Sequence, residues 1–86
     1  MMDPYKIIFH PYVTEKTMNL MEDNNALEFI VRRTATKETI KKAVEILFDV
    51  EVENVNTKIS KNGKHAIVRF TPEHNAEDIG MRIGVF

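Results

Sequence analysis

Two runs of alternating residues flank Lys61-Asn62-Gly63, and this feature constrains the chain more than any other. Asn-Gly between alternating apolar residues is the strongest short-range signal of a β-hairpin. On the return side, Lys64 to Thr71 reads as a strand. Ala66, Val68 and Phe70 share one face, His65, Ile67 and Arg69 the other, and Pro72 ends it. This is the period of two that a half-buried strand needs. On the outgoing side, Val50 to Ile59 also reads as a strand. Val55, Thr57 and Ile59 share one parity, Val50 and Val52 the opposite one. That slip near Glu53-Asn54 predicts a β-bulge.

The segment before this hairpin is helical. Ile40, Ala43, Val44, Leu47 and Phe48 fall at i, i+3, i+4, i+7 and i+8, one apolar stripe of a helix from Thr36 to Phe48. Thr36 is the expected N-cap. Glu38 and Lys42 form an i, i+4 pair that contributes only ~0.2–0.5 kcal/mol, so packing of the stripe must hold the helix. Ala26 to Arg33 is a strand with Leu27, Phe29 and Val31 on one face; Ile30 on the second face implies that this face is partly covered as well. Thr14 caps an earlier helix with Glu15 in its first turn, and Asp23-Asn24-Asn25 ends it. Ile7-Ile8-Phe9 is a short strand stopped by His10-Pro11. Asn75 caps a final short helix carrying Ala76, Ile79 and Ile83. The expected fold is a small α/β (α+β) sandwich in the order β-α-β-α-β-β-α. It has a four-stranded, mainly antiparallel sheet and three helices covering at least one face, in a single domain spanning residues 1–86.

The charge total, taken alone, argues against nucleic acid as a partner. Lys plus Arg is 12 and Asp plus Glu is 13, for a net charge of −1, whereas nucleic-acid binders usually present a basic domain. The distribution says otherwise. Residues 32–42 hold Arg32, Arg33, Lys37, Lys41 and Lys42 against Glu38, and residues 58–69 hold Lys58, Lys61, Lys64 and Arg69 with no acid. Each block is +4; the acids lie elsewhere. A basic hairpin and a basic helix start suit phosphate contacts, which supply affinity without sequence information.

Other chemistry is poorly supported. There is no cysteine, which removes disulfides, thiol catalysis and cysteine metal sites and fits a reducing cytoplasm. No apolar run approaches the ~18 residues of a membrane span, and Asp3 and Pro4 stand where a signal peptide needs a basic start. Phosphate-cradling glycine loops, nucleophile elbows and metalloprotease helices are absent from the sequence. His10, His65 and His74 are not at metal-ligand spacing with a carboxylate, and Glu51 and Glu53 read as a solvated strand face. No catalysis, cofactor, metal, membrane insertion or small-molecule substrate is expected. Residues 64–70 lack the aromatic platform on which RNA-recognition-motif strands stack bases, so Phe70 is assigned to the core. Two readings remain from the residues themselves: a binder of nucleic-acid backbone, or a free-standing small α/β protein-interaction module without RNA binding.

Four motifs in order add a resemblance. They are His-Pro-Tyr-Val-Thr-Glu-Lys-Thr at residues 10–17, Ala-Thr-Lys at 35–37, Val-Glu-x-Val-Asn-Thr at 52–57 and Lys-His-Ala-Ile-Val-Arg-Phe at 64–70. Together they resemble the large-subunit ribosomal protein L twenty-three family along essentially the whole chain. His65 departs from the family's second basic residue, which would weaken one phosphate contact, and Phe70 stands in place of Leu. The turn at 60–64 is too short for the long basic hairpin that bacterial members send into the exit tunnel, and so resembles the archaeal and eukaryotic form.

The resemblance implies a cytoplasmic, ribosomal role. Such proteins bind large-subunit ribosomal RNA beside the mouth of the polypeptide exit tunnel and neighbour ribosomal protein L twenty-nine. They also help form a docking platform for nascent-chain factors, here the signal recognition particle and the translocon. By the family's pattern Asn56, Thr57, Lys58, Lys61 and Lys64 contact RNA, with Lys16, Arg33, Lys37 and Arg69 as further contacts, and Glu15 serves factor docking.

Overall fold

In the computed structural model, which describes residues 3–84, four strands form one antiparallel sheet. The elements are α1 (Pro4–Ile7), β1 (Ile8–Pro11), α2 (Glu15–Asn24), β2 (Ala26–Val31), α3 (Lys37–Phe48), β3 (Val52–Ser60), β4 (Gly63–Phe70) and α4 (Ala76–Arg82). The strand order is β1-β2-β4-β3, so the hairpin strands are neighbours and β2 lies inside the sheet. Among the described residues no helix is long and apolar enough to cross a membrane.

The helix starts follow local chemistry. Thr14 accepts the Thr17 N–H, and the Thr17 hydroxyl accepts the Thr14 N–H in return, a capping box made with Thr instead of the usual Glu. Thr36 Oγ1 accepts the Thr39 N–H, and Asn75 Oδ1 accepts those of Glu77 and Asp78. Asn25 and Asp49 end α2 and α3 in the left-handed conformation, with φ of 54° and 53°, as the short polar residues most tolerant of it do.

Three details differ from the sequence expectation. Residues 4–7 form one extra helical turn, so there are four helices; the Asp3 carboxylate accepts the Tyr5 N–H and Pro4 occupies the first turn, where its missing N–H costs nothing. Strand β1 runs through His10 and Pro11 instead of stopping before them. Proline is tolerated there because β1 is an edge strand. The hairpin loop is Lys61-Asn62, with Ser60 paired to Gly63, and Gly63 itself takes φ +118° as the first residue of β4. The expected bulge is present, between Val52 and Asn54.

One sheet face carries Leu27, Phe29 and Val31 of β2, Ala66, Val68 and Phe70 of β4, and Val52 and Val55 of β3. Ile40, Ala43 and Val44 of α3 and Ala76 and Ile79 of α4 close over them. Phe48 stacks on Phe29 with ring centroids 5.7 Å apart. Every residue of β2 is buried, on both faces, as Ile30 implied. On the second face stand Glu28 and Ile30, then His65, Ile67 and Arg69, then Asn54, Asn56, Lys58 and Ser60, by alternation and register.

Candidate nucleic-acid interface

Sheet register joins the two basic segments. Val31, the last residue of β2, pairs with Lys64, the second of β4. Arg32 and Arg33 therefore leave the sheet at the end where the hairpin turns. The Lys64 ammonium donates to the Ala35 carbonyl at 2.6 Å, tying the hairpin to the segment that enters α3. Lys37 and Lys41, on the first turns of α3, share a shallow cleft with Glu53, Asn54 and Val55 of β3.

The residues expected to contact RNA divide between the two faces. Asn56, Lys58 and Arg69 project from the second face; Thr57 and Lys64 share the parity of the core face, Lys64 turned toward α3. Lys61 is exposed at the hairpin tip, and Arg33 and Lys37 are exposed beyond β2 and at the start of α3. Lys16 and Glu15 are exposed side by side on α2, a different element. Acids temper two of the cations. Lys58 Nζ lies 4.0 Å from Glu28, and Arg69 Nε 3.9 Å from Glu53, so block 58–69 is less bare than its sequence.

A chain of polar groups runs along the second face from buried Glu28 and His65 to exposed Ser60 and Asn62. His65 Nδ1 is 2.7 Å from Glu28 Oε2, and His65 Nε2 is 2.7 Å from Ser60 Oγ. Ser60 Oγ also accepts the Asn62 N–H at 3.1 Å. The Tyr12 ring meets the imidazole edge-on at 4.8 Å, and its hydroxyl is 3.5 Å from Asn62 Nδ2. The chain reaches from the centre of β2 to the turn. Position 65 is thus not an outward phosphate contact weakened by histidine: its ring is buried and turned to a carboxylate. Sequence reading missed Glu28, Ser60 and Tyr12 as parts of this end. The one signal was Ile30, which marked the second face of β2 as covered.

His74 also differs from its expectation. Its ring, with the carboxylates of Glu51 and Glu73, forms a group whose nearest donor atoms all lie within 4.8 Å of one another. Two of these three residues are exposed, as on an ordinary solvated surface.

The described residues form a small α+β domain in which Arg32, Arg33, Lys61 and Lys64 lie at the hairpin end of the sheet, while Lys37, Lys41 and Arg69 lie toward the start of β3. A family model described as Ribosomal protein L23 matches residues 6–79. A large ribosomal subunit protein uL23 from Methanothermobacter thermautotrophicus is 50% identical over 86 residues, 99% of this chain and all of the relative. The protein of the same name from Picrophilus torridus is 51% identical over 79 residues, 92% of this chain and 96% of the relative. That from Methanobrevibacter smithii is 46% identical over 86 residues, 99% of this chain and all of the relative. The chain belongs to the ribosomal protein L23 family, whose members are structural proteins and not enzymes.

Proposed function

We propose that this protein is a structural constituent of the large ribosomal subunit in the cytoplasm and grips its RNA by the hairpin end of the sheet. The observation that carries the RNA reading is the joining of two basic segments far apart in sequence, Val31 beside Lys64 and Lys64 bonded to Ala35. Lys58, Lys61 and Arg33 supply phosphate contacts around that end, with Lys64 fixing it, and Lys37 supplies one from the cleft it shares with the start of β3. Asn56 and Arg69 extend the contact along the second face, with Thr57 on the core-face side of β3 and Lys16 on α2 as further contacts. Contacts of this kind position a protein on RNA without reading sequence.

A docking role belongs to Glu15 of α2 and to the α1–α3 side. Glu15 stands at the start of α2 beside the partly exposed Val13 and Met18, a combination suited to docking a protein. Tyr5, Phe9, Phe48 and Ile83 line one shallow groove, with Tyr5 and Phe9 largely exposed. In this reading the protein sits beside the exit tunnel, neighbours ribosomal protein L twenty-nine and helps present a platform to the signal recognition particle and the translocon.

Titration of the full chain with in-vitro-transcribed large-subunit RNA tests the RNA half. If about five phosphates are neutralised, the log–log slope of affinity against salt is near ~−4. A flat response would sink the reading. Sedimentation of the tagged protein with ribosomes on a sucrose gradient tests the assembly half.

A further inference from the structure

We propose that Ser60 is a phosphate-binding residue whose hydroxyl hydrogen is released outward when His65 is protonated, so that nucleic-acid binding at the hairpin takes up a proton. This rests on the RNA-binding reading and deepens it.

The hydrogens along the Glu28–His65–Ser60–Asn62 chain have fixed places. The Glu28 carboxylate accepts only, and with the Lys58 ammonium 4.0 Å from the same oxygen it is the acceptor in its 2.7 Å contact with His65. Nδ1 therefore carries hydrogen in both ring states. Nε2 is the variable atom. In the neutral ring it has no hydrogen, and at 2.7 Å it must accept the one hydrogen of Ser60 Oγ. Ser60 then also receives the Asn62 N–H and has no hydrogen left for an outside group.

In the imidazolium, Nε2–H donates to Oγ instead. Ser60 now accepts from both His65 and Asn62, and its own hydrogen turns away from the ring. Ser60 is exposed, the last residue of β3, immediately before Lys61. An outward hydroxyl donor next to an ammonium is a fit for a phosphodiester oxygen. The proton comes from solvent, and no covalent bond changes.

The groups facing the imidazole are the Glu28 carboxylate from β2, Lys58 from β3 by way of the same carboxylate, and the Tyr12 ring; Lys64 of β4 is turned away to Ala35. A phosphate at Ser60 adds negative charge and accepts the hydrogen that protonation frees. Phosphate and proton each favour the other, and the coupling is reciprocal.

The test compares wild type, Ser60→Ala, Ser60→Thr and Lys61→Gln, binding in-vitro-transcribed large-subunit RNA at about pH 6 and about pH 8, across the range where histidine usually changes charge. Wild type is expected to bind more tightly at the lower pH. Ser60→Ala should lose about tenfold there, the scale of one hydrogen bond to a charged group, and should flatten the pH dependence with the salt slope unchanged. Ser60→Thr should restore both. Lys61→Gln should lower the salt slope and keep the pH dependence. Steep salt dependence with identical pH profiles in wild type and Ser60→Ala overturns this inference but not the RNA reading. Salt-independent binding overturns the RNA reading. Inorganic phosphate gives a readout that needs no RNA: it should move the His65 ring signals in proton NMR toward the imidazolium in wild type and not in Ser60→Ala. Equal movement in both, or none in wild type, also overturns the inference.

Discussion

Glu28 Oε2 and His65 Nδ1 lie 2.7 Å apart on adjacent central strands, and each side chain is only 3% exposed. A carboxylate so far from water is tolerable only because it is hydrogen-bonded and approached by the Lys58 ammonium. Removing one member leaves the other stranded. Glu28→Ala should cost about 3 kcal/mol, combining an unsatisfied imidazole N–H with a cavity. Glu28→Gln keeps a carbonyl acceptor and the shape, and should cost about 1 kcal/mol. Urea unfolding followed by circular dichroism would show both as lowered midpoints at constant slope.

Gly63 tests the hairpin by a different route. Its φ of +118° is one that side chains rarely adopt, while a Cβ there would meet Ile30 Cγ2 at an ordinary 3.8 Å. The cost of Gly63→Ala is therefore backbone strain and not a clash, roughly 1–2 kcal/mol. Because relaxing that strain moves the turn, RNA binding should weaken as well. Unchanged stability would mean that the turn readjusts freely.

Asn25 holds the far end of the sheet. Its Nδ2 donates to the carbonyls of Phe70, Thr71 and His74, and its Oδ1 accepts the Ala76 N–H at 2.7 Å. It does this while occupying the left-handed position that ends α2. Asn25→Ala loses the bonds and suffers the backbone penalty, about 3 kcal/mol in all. Asn25→Gly should recover about 1 kcal/mol of that, the backbone part. If the two variants were equally stable, the left-handed conformation would contribute nothing.

These positions mark where sequence reading reaches and where it stops. Thr14, Thr36 and Asn75 act within three residues of themselves, so their caps were legible; so were the hairpin, the bulge and the α3 stripe, which are periodic. Asn25 read only as a turn residue, because its partners lie 45 to 51 positions away. The same holds for the interface. The two +4 blocks were visible, but not that Thr57 and Lys64 share the core face while Asn56 and Lys58 take the other. Glu28 stood on the strand face that Ile30 marked as partly covered, but only the fold brings Tyr12, Ser60 and His65 to it.

A substitution at Glu15 tests the proposed docking role apart from RNA binding. It is exposed in the first turn of α2, where a carboxylate favours the helix dipole by only ~0.3–1 kcal/mol. Glu15→Gln should thus leave folding and RNA affinity nearly unchanged. Ribosomes carrying it should retain the signal recognition particle several-fold less well in co-sedimentation. Parallel loss of RNA affinity would make Glu15 structural.

Arg69 and Glu53 offer the most discriminating test of the proposed interface, because their 3.9 Å approach partly neutralises a cation of the second face. Both side chains are about half exposed, at 52% and 47%, so the pair contributes little to stability and either partner can be changed without unfolding the protein. Lys61→Gln, at the tip, should reduce the magnitude of the salt slope by ~0.7–0.9, one phosphate contact. Arg69→Gln should reduce it less, since Arg69 is already partly neutralised, yet affinity should fall because Glu53 is left unmasked beside the RNA. Glu53→Gln should do the reverse: it frees Arg69 for phosphate, tightening binding and steepening the slope toward that of one additional contact. If Glu53→Gln instead left affinity and slope untouched while Lys61→Gln lowered both, the RNA would reach only the hairpin tip and not the second face at Arg69.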